Sequence, residues 1–375
     1  MNIKRLILAV GIAGMTALSA PAATQFTVES EEENFIVTSI VENLERPWGL
    51  AFLPEDRGIL VTQKTGDLIL IRDGRKTIVS GTPEVAVIGQ GGLLDVALSP
   101  SFTTDSFVYL SFSEAGRGGA GTAIFRGRLV DTPGSPTRLT NPEVIYRALP
   151  KSGGGRHFGS RLAFDEAGYL YVTLGDRGSM NRAQDTRDPY GSVLRLNPDG
   201  SVPSDNPGFD APEIWSYGHR NAQGLAKHPV TGDIWLHEHG PKGGDEVNIV
   251  RKGANYGWPR VTYGIDYNGS VISNMTSAPG IEEPVVYWVP SIAPSGMAFY
   301  DGDGFPEWKG NVFVGALAGQ QLRRLELRGN RVVHQEVLLS GRLGRIRDVR
   351  RGPDGRLYLL TDGPSGVLYQ ISPDR

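Results

Sequence analysis

Not one of the 375 residues is cysteine. Disulfides, thiolate metal ligands and thiol nucleophiles are therefore excluded, and stability has to come from packing. Histidine is scarce, with six in all, so imidazole chemistry has few candidates. Positive charge is not in surplus: 38 basic against 41 acidic residues give a net charge of −3, with no basic block. No nucleic-acid partner is expected, because a polyanion needs a concentrated cationic surface. Long helical periodicity is missing, and beyond the first residues no apolar run approaches the length that spans a bilayer.

Glycine and proline, in contrast, are abundant at 50 and 25 residues. Together with the missing helical pattern they predict an all-β fold of short strands joined by tight turns. Residues 1–22 have a composition of their own. Lys4 and Arg5 precede an apolar run from Leu6 to Leu18, and Ala20-Pro-Ala22 supplies small residues for cleavage. This reads as a secretory signal peptide, the alternative being a retained membrane anchor; cleavage implies an exported, periplasmic protein without a membrane span.

Over the remaining residues, 23–375, one phrase recurs six times. A Gly or Ser leads a short apolar run that ends in an acidic, Pro or Gly turn. Its central residues are Leu50, Val96, Leu162, Leu225, Met297 and Val349, separated by 46 to 72 residues. Some ten residues later most copies add a second apolar run, as in Gly58-Ile-Leu-Val-Thr62, Gly168-Tyr-Leu-Tyr-Val-Thr173 and Gly232-Asp-Ile-Trp-Leu236. A strand–turn–strand unit repeated six times across the chain predicts one domain, a six-bladed β-propeller. Phe35–Ile40 is expected to close the ring as an outer strand beside Gly366–Ile371.

If the repeated phrase is the innermost strand of each blade, the loop entering it and the loop leaving the next strand share one face, because antiparallel strands reverse direction. The entering loops carry Gln90, Arg156-His157, His219-Arg220-Asn221, Pro290-Ser291 and Arg345 with Arg347. The leaving loops carry Gly175-Asp-Arg-Gly178, His237-Glu-His-Gly-Pro241, Gly315-Ala-Leu-Ala-Gly-Gln320 and Asp362-Gly-Pro364. One mouth thus gathers arginines, amides and a histidine, a set suited to a flat anionic ligand rich in carbonyls. A neutral histidine there can take a proton from a substrate hydroxyl. His237-Glu-His239 allows a transition-metal reading, with both imidazoles on one strand face. The run Gly240-Pro-Lys-Gly-Gly-Asp-Glu246 allows a hard-cation reading through backbone carbonyls and Glu246, or else an ordinary solvated loop.

Taken together, these segments resemble the soluble quinoprotein dehydrogenases that bind pyrroloquinoline quinone (PQQ), in particular the aldose sugar dehydrogenases related to soluble glucose dehydrogenase. The motifs are Gly89-Gln-Gly-Gly-Leu-Leu94, Gly155-Arg-His-Phe-Gly-Ser-Arg161, Gly218-His-Arg-Asn-Ala-Gln-Gly-Leu225, Glu238-His-Gly-Pro-Lys-Gly-Gly-Asp-Glu246, Asn255-Tyr-Gly-Trp-Pro259, Pro290-Ser-Ile-Ala-Pro-Ser295 and Arg345-Ile-Arg-Asp348. The resemblance implies oxidation of an aldose to a lactone, with His157 as general base and Arg220 over the reactive quinone carbonyl. It implies that Gln90, Asn221, Tyr267, Arg345, Arg347 and the stretch Ala318, Gly319, Gln320 border the cofactor. It implies Ca²⁺ at Gly240 and Pro241, and a second Ca²⁺ at Glu246, Tyr256 and Asp266. An external electron acceptor and a monomer or weak dimer complete the expectation.

Two departures from the family pattern stand out: Arg156 occupies the position of an acidic residue before the histidine, and no lysine lies in Val314–Gln320. The alternatives weighed are a Ca²⁺-dependent lactonase on the same propeller, which needs carboxylates crowding a central metal, and a non-enzymatic glycan-binding propeller.

Overall fold

Six antiparallel sheets stand around a common axis in a computed structural model that describes residues 24–374. The signal peptide expected over residues 1–22 lies outside the described residues. Five sheets have four strands each and the last has five. The innermost strands are Pro47–Phe52, Leu93–Leu98, Leu162–Phe164, Ala222–Lys227, Pro294–Phe299 and Ile346–Arg351, and neighbours in this series pack side by side around the ring. The six repeat centres, Leu50 to Val349, fall one in each of these strands and are all at most 2% exposed. The protein is a six-bladed β-propeller.

Burial explains the strand order. Second strands such as Leu170–Leu174, Val312–Ala316 and Leu357–Thr361 are buried at every position, because a blade is covered on both faces by its neighbours. The sandwiched layers are continuous: one cluster joins Leu60 and Leu70 of the first blade to Val96, Leu110 and Phe125 of the second. Another joins Trp235 and Val247 of the fourth to Met297 and Val314 of the fifth. Outer strands such as Arg75–Val79 and Arg331–Leu338 are mostly exposed and carry charge, which discourages edge-to-edge pairing.

Closure joins the chain ends. Phe35–Leu44 pairs with Gly366–Pro373, with Val37 opposite Ile371. It is an outer strand beside Gly366–Pro373, as expected, fourth in its blade, and Gln25–Val28 pairs beyond it as a fifth. Phe35, Val37 and Val41 alternate inward on this strand and keep its register.

The axis itself is filled by charge. Arg161 Nη1 lies 3.2 Å from Asp95 Oδ1 and 3.1 Å from Asp348 Oδ1, and Arg350 reaches both acids at 2.9 and 3.0 Å. The backbone N–H groups of Leu162 and Leu50 donate to Asp95 and Asp348. The Arg161 guanidinium also stacks 4.1 Å from the Trp48 ring. Two acids meet two arginines, so buried charge is balanced and strongly hydrogen-bonded, the condition under which an ion cluster survives in an interior. It ties the first, second, third and sixth blades together and forms a floor beneath the mouth.

Candidate active site at the propeller mouth

The entering and leaving loops meet above that floor around two adjoining cavities. The larger, of about 340 Å³, is lined by Trp48, Gln90, Asn221, Gln223, His239, Arg345 and Arg347, among others. The smaller, of about 100 Å³, is lined by Arg156, His157, Asp176, Arg220, Pro241, Trp258, Asp266 and Tyr267. Hydrogen bonds stitch the wall between them: Gln90 Oε1 accepts the His157 backbone N–H at 2.7 Å, and Asn221 Oδ1 accepts that of Gly159 at 3.2 Å. A groove of about 620 Å³ on the second blade is bigger, but its Glu114 and Glu143 are already paired with Arg147, Lys151 and Arg126. The mouth is therefore the candidate site.

His157 sits just ahead of the third blade's inner strand with its backbone left-handed, at φ 54°. Such a conformation costs about 1–3 kcal/mol for a non-glycine residue and is kept only where its surroundings enforce it. The enforcement is close at hand. A Cβ at Gly175 would lie 2.3 Å from the His157 carbonyl oxygen, so only glycine lets the neighbouring strand approach there.

His157 Nδ1 is 2.6 Å from Asp176 Oδ1, and the other oxygen of Asp176 accepts Trp258 Nε1–H at 2.9 Å. The carboxylate therefore holds the imidazole proton on Nδ1 and leaves Nε2 with a lone pair. Burial lowers the histidine pKa, and the Arg220 and Arg156 charges add to this against the opposing pull of Asp176. Asp176 is itself held below the usual carboxylate range: burial would raise it, but hydrogen bonds from His157, Gly178 and Trp258 win. The result is a neutral imidazole beside an ionised carboxylate.

Arg220 lies under the same opening. Its Nη1 donates to the carbonyls of His239 at 3.1 Å and Gly240 at 2.9 Å, while its backbone N–H donates to Glu238 Oε2. The Gly240 carbonyl expected as a Ca²⁺ ligand thus already accepts a guanidinium proton, leaving its second lone pair. Asp245 organises this loop, accepting from the Gly240 and Ile292 N–H groups and the Ser291 hydroxyl. Burial nevertheless pushes its carboxyl up to about 6.

Across the larger cavity, Arg345 Nε is 3.0 Å and Arg347 Nη2 3.4 Å from Asp362. Arg347 Nε is buried without a protein partner. Arg46 and Lys64 line the same space.

The remaining predicted residues scatter more. Tyr267 is 69% exposed at the rim, 6.0 Å from the Arg220 guanidinium. The Ala318 and Gly319 amides are spent on the Ile292 carbonyl, and Leu317 rather than Ala318, Gly319 or Gln320 lines the cavity. Glu246 and Tyr256 border one small hollow, whereas Asp266 lines the His157 cavity, so the three do not converge as one ligand set. The Tyr256 hydroxyl is bound to the Ile249 carbonyl and Arg251 N–H. Neither His237 nor His239 offers a metal ligand pair. Each ring Nε2 meets a backbone carbonyl of the next blade, Gly296 and Pro294, and burial pushes His237 down to about 3. Glu238 and Glu246 face each other across paired strands, and burial together with the Glu238 charge pushes Glu246 up to about 8. The solvated-loop reading of Asp245 and Glu246 is therefore replaced by a packed, acid-rich one. No group of three or more His, Asp and Glu side chains converges among the described residues, so a cation here would need carbonyl oxygens as well.

Sequence reading overlooked Arg46, Trp48 and Lys64 and gave Asp176 and Asp362 no role. Four obey the same positional rule: Arg46 precedes the first inner strand and Lys64, Asp176 and Asp362 follow second strands, whereas Trp48 is the second residue of the inner strand itself.

Comparison with known proteins agrees with this architecture. A profile of the glucose/sorbosone dehydrogenase family matches residues 44–370. The aldose sugar dehydrogenase YliI of Escherichia coli K12 is 45% identical over 347 residues, covering 90% of this chain and 92% of that protein. A crystal structure of a glucose dehydrogenase superposes with a TM-score of 0.86 at 49% identity, covering 89% of this chain and 98% of the other. The PQQ-bound aldose sugar dehydrogenase of Streptomyces coelicolor superposes with a TM-score of 0.76 at 30% identity, covering 94% and 99%.

Proposed function

This chain belongs to the glucose/sorbosone dehydrogenase family and is an oxidoreductase, and from that premise we propose that it oxidises aldoses at the anomeric carbon to lactones with PQQ and Ca²⁺ in the periplasm. The observation that carries the reading is the shared wall at the mouth. On one side stands an imidazole with a free Nε2, on the other a cavity rich in positive charge.

The residues present suit the cofactor. PQQ is a flat aromatic tricarboxylate with quinone oxygens. The larger cavity offers Arg46, Lys64, Arg345 and Arg347 against the single acid Asp362, with amide groups from Gln90, Asn221 and Gln223. Arg347 lines this cavity and leans on only the one acid Asp362, a fork suited to an anionic acceptor. Bound there, PQQ supplies the two-electron hydride acceptor that no side chain provides, and an external acceptor would take the electrons onward. The Gly240 and Pro241 carbonyls would hold one Ca²⁺, and Glu246 with neighbouring carbonyls a second; the surplus of buried acid at Glu246 fits a hard cation.

The protein's own part is positioning and proton transfer. His157 Nε2 takes the anomeric hydroxyl proton, while Asp176 fixes the tautomer and stabilises the imidazolium that forms. Arg220, anchored through Gly240, presents a fixed positive charge where negative charge develops, a contribution typically worth roughly 10²–10³-fold in rate. Trp258 and Tyr267 wall the smaller cavity with aromatic surface suited to a sugar face.

Purified protein supplied with PQQ and Ca²⁺ should reduce an artificial dye in the presence of aldoses, and omitting either addition should abolish it. His157→Gln should bind PQQ yet turn over no sugar. Near-normal turnover by that variant, or lactone hydrolysis with Ca²⁺ alone, would overturn the reading.

A further inference from the structure

Four cations share the larger cavity with one carboxylate. Arg345 and Arg347 come from the sixth blade, and both already lean on Asp362. Arg46 and Lys64 come from the first blade and make no ion pair with any acid among the described residues. Like charges crowded together are unfavourable unless an anion joins them. The Lys64 ammonium feels this, its pKa lowered by burial and then by the Arg347 and Arg46 charges, with Asp362 only partly offsetting.

Both first-blade residues are held in place by backbone. Lys64 N–H donates to the Arg46 carbonyl at 3.0 Å, and the Lys64 carbonyl accepts from Leu93. A Cβ at Gly92 would lie 2.0 Å from that same carbonyl, so the second blade presses against Lys64 through a glycine. Arg46 sits at φ 48°, left-handed, with its N–H on the Gly363 carbonyl of the sixth blade. The Arg46 side chain lines the cavity and pairs with no acid among the described residues, so its charge is left to face an incoming anion. The Lys64 ammonium donates to the Gly89 carbonyl at 2.5 Å, beside Gln90.

Resting on the PQQ reading above, we propose that Arg46 and Lys64 are carboxylate anchors for the cofactor. They clamp its acidic end from the first blade while Arg345 and Arg347 clamp it from the sixth. They would do the work for which the Val314–Gln320 segment supplies no lysine. The clamp bridges the two blades between which Arg46 N–H and Gly363 O are the seam, so cofactor binding also braces the ring near its closure.

Binding itself tests this, without turnover. PQQ is titrated into the full-length apo-protein, following quenching of tryptophan fluorescence, to which Trp48 in the cavity wall contributes. Lys64→Met and Arg46→Met should each weaken binding about tenfold or more, as expected for one lost charge-assisted hydrogen bond. Lys64→Arg should retain most of the affinity, and the double variant should lose much of the wild type's sensitivity to salt. Redox-inert benzene-1,3,5-tricarboxylate should compete with PQQ on the wild type and compete less well on the double variant. Melting temperatures within a few degrees of wild type certify the fold, and the Lys64→Arg rescue separates charge from packing. Wild-type affinity in both methionine variants would overturn the anchors and leave the PQQ reading intact. A wild type that binds no PQQ would sink both.

Discussion

Gln90 Oε1 accepts the backbone N–H of His157 at 2.7 Å. The residue that borders the larger cavity thereby also holds the strained main chain of the candidate base in the smaller one. On the proposed reading, this hydrogen bond would couple ligand binding on one side of the wall to proton transfer on the other.

Gln90→Ala should therefore damage two quantities at once. Losing the acceptor frees the φ 54° backbone at His157, and a misplacement of 1 Å at a catalytic group can cost roughly 10²-fold. We expect kcat for aldose oxidation to fall at least about tenfold alongside weaker PQQ binding. Gln90→Glu, which keeps an acceptor oxygen, should recover kcat better than affinity. Steady-state kinetics at saturating PQQ would show the split.

With His157 as the proposed base, the His157–Asp176 pair should set the pH profile. The working form would be the neutral imidazole, and burial with the Arg220 and Arg156 charges lowers its pKa below the ordinary 6.5. Activity should then rise with pH through a midpoint below that value and stay flat through neutrality. Asp176→Asn removes the charge that opposes this lowering, so the limb should move further to acid while kcat drops roughly 10²-fold or more through loss of tautomer control. A limb above 6.5 in wild-type kcat/KM would contradict the assignment.

Stability should hinge on the axial charge cluster. Arg161 is 1% exposed and touches Asp95 and Asp348. Arg161→Met leaves two buried acids sharing Arg350 alone. Removing one partner from a buried ion cluster typically costs about 3–5 kcal/mol. Chemical denaturation should register that loss, and a change below about 1 kcal/mol would show that the cluster tolerates imbalance.

Calcium should stabilise the fold as well as the site. Glu246 faces Glu238 without a basic partner of its own among the described residues, so a bound divalent ion would relieve the crowding. Adding Ca²⁺ to chelator-treated protein should raise its melting temperature, by mass action on the folded state. Glu246→Gln should lower that gain while leaving the metal-free protein close to wild type. An unchanged calcium response in the variant would remove Glu246 from the ligand set.

Blade number, inner-strand positions and ring closure could be read from residue order alone. They follow from apolar periodicity and turn chemistry, which act locally and repeat: Leu50, Leu225 and Val349 announce inner strands because each is flanked by the same turn signals. So could the convergence of Gln90, His157, Arg220 and Arg347, once antiparallel pairing assigns their loops to one end. Spatial arrangement alone decided which polar groups spend themselves on one another. Asp362 pairs with both Arg345 and Arg347, Asp245 receives the Gly240 loop, and His237 and His239 brace the fifth blade. Arg46 and Lys64 join the cavity because the first and sixth blades meet where the ring closes. Such pairings depend on distances between segments far apart in the chain, and no local pattern of residues encodes a distance.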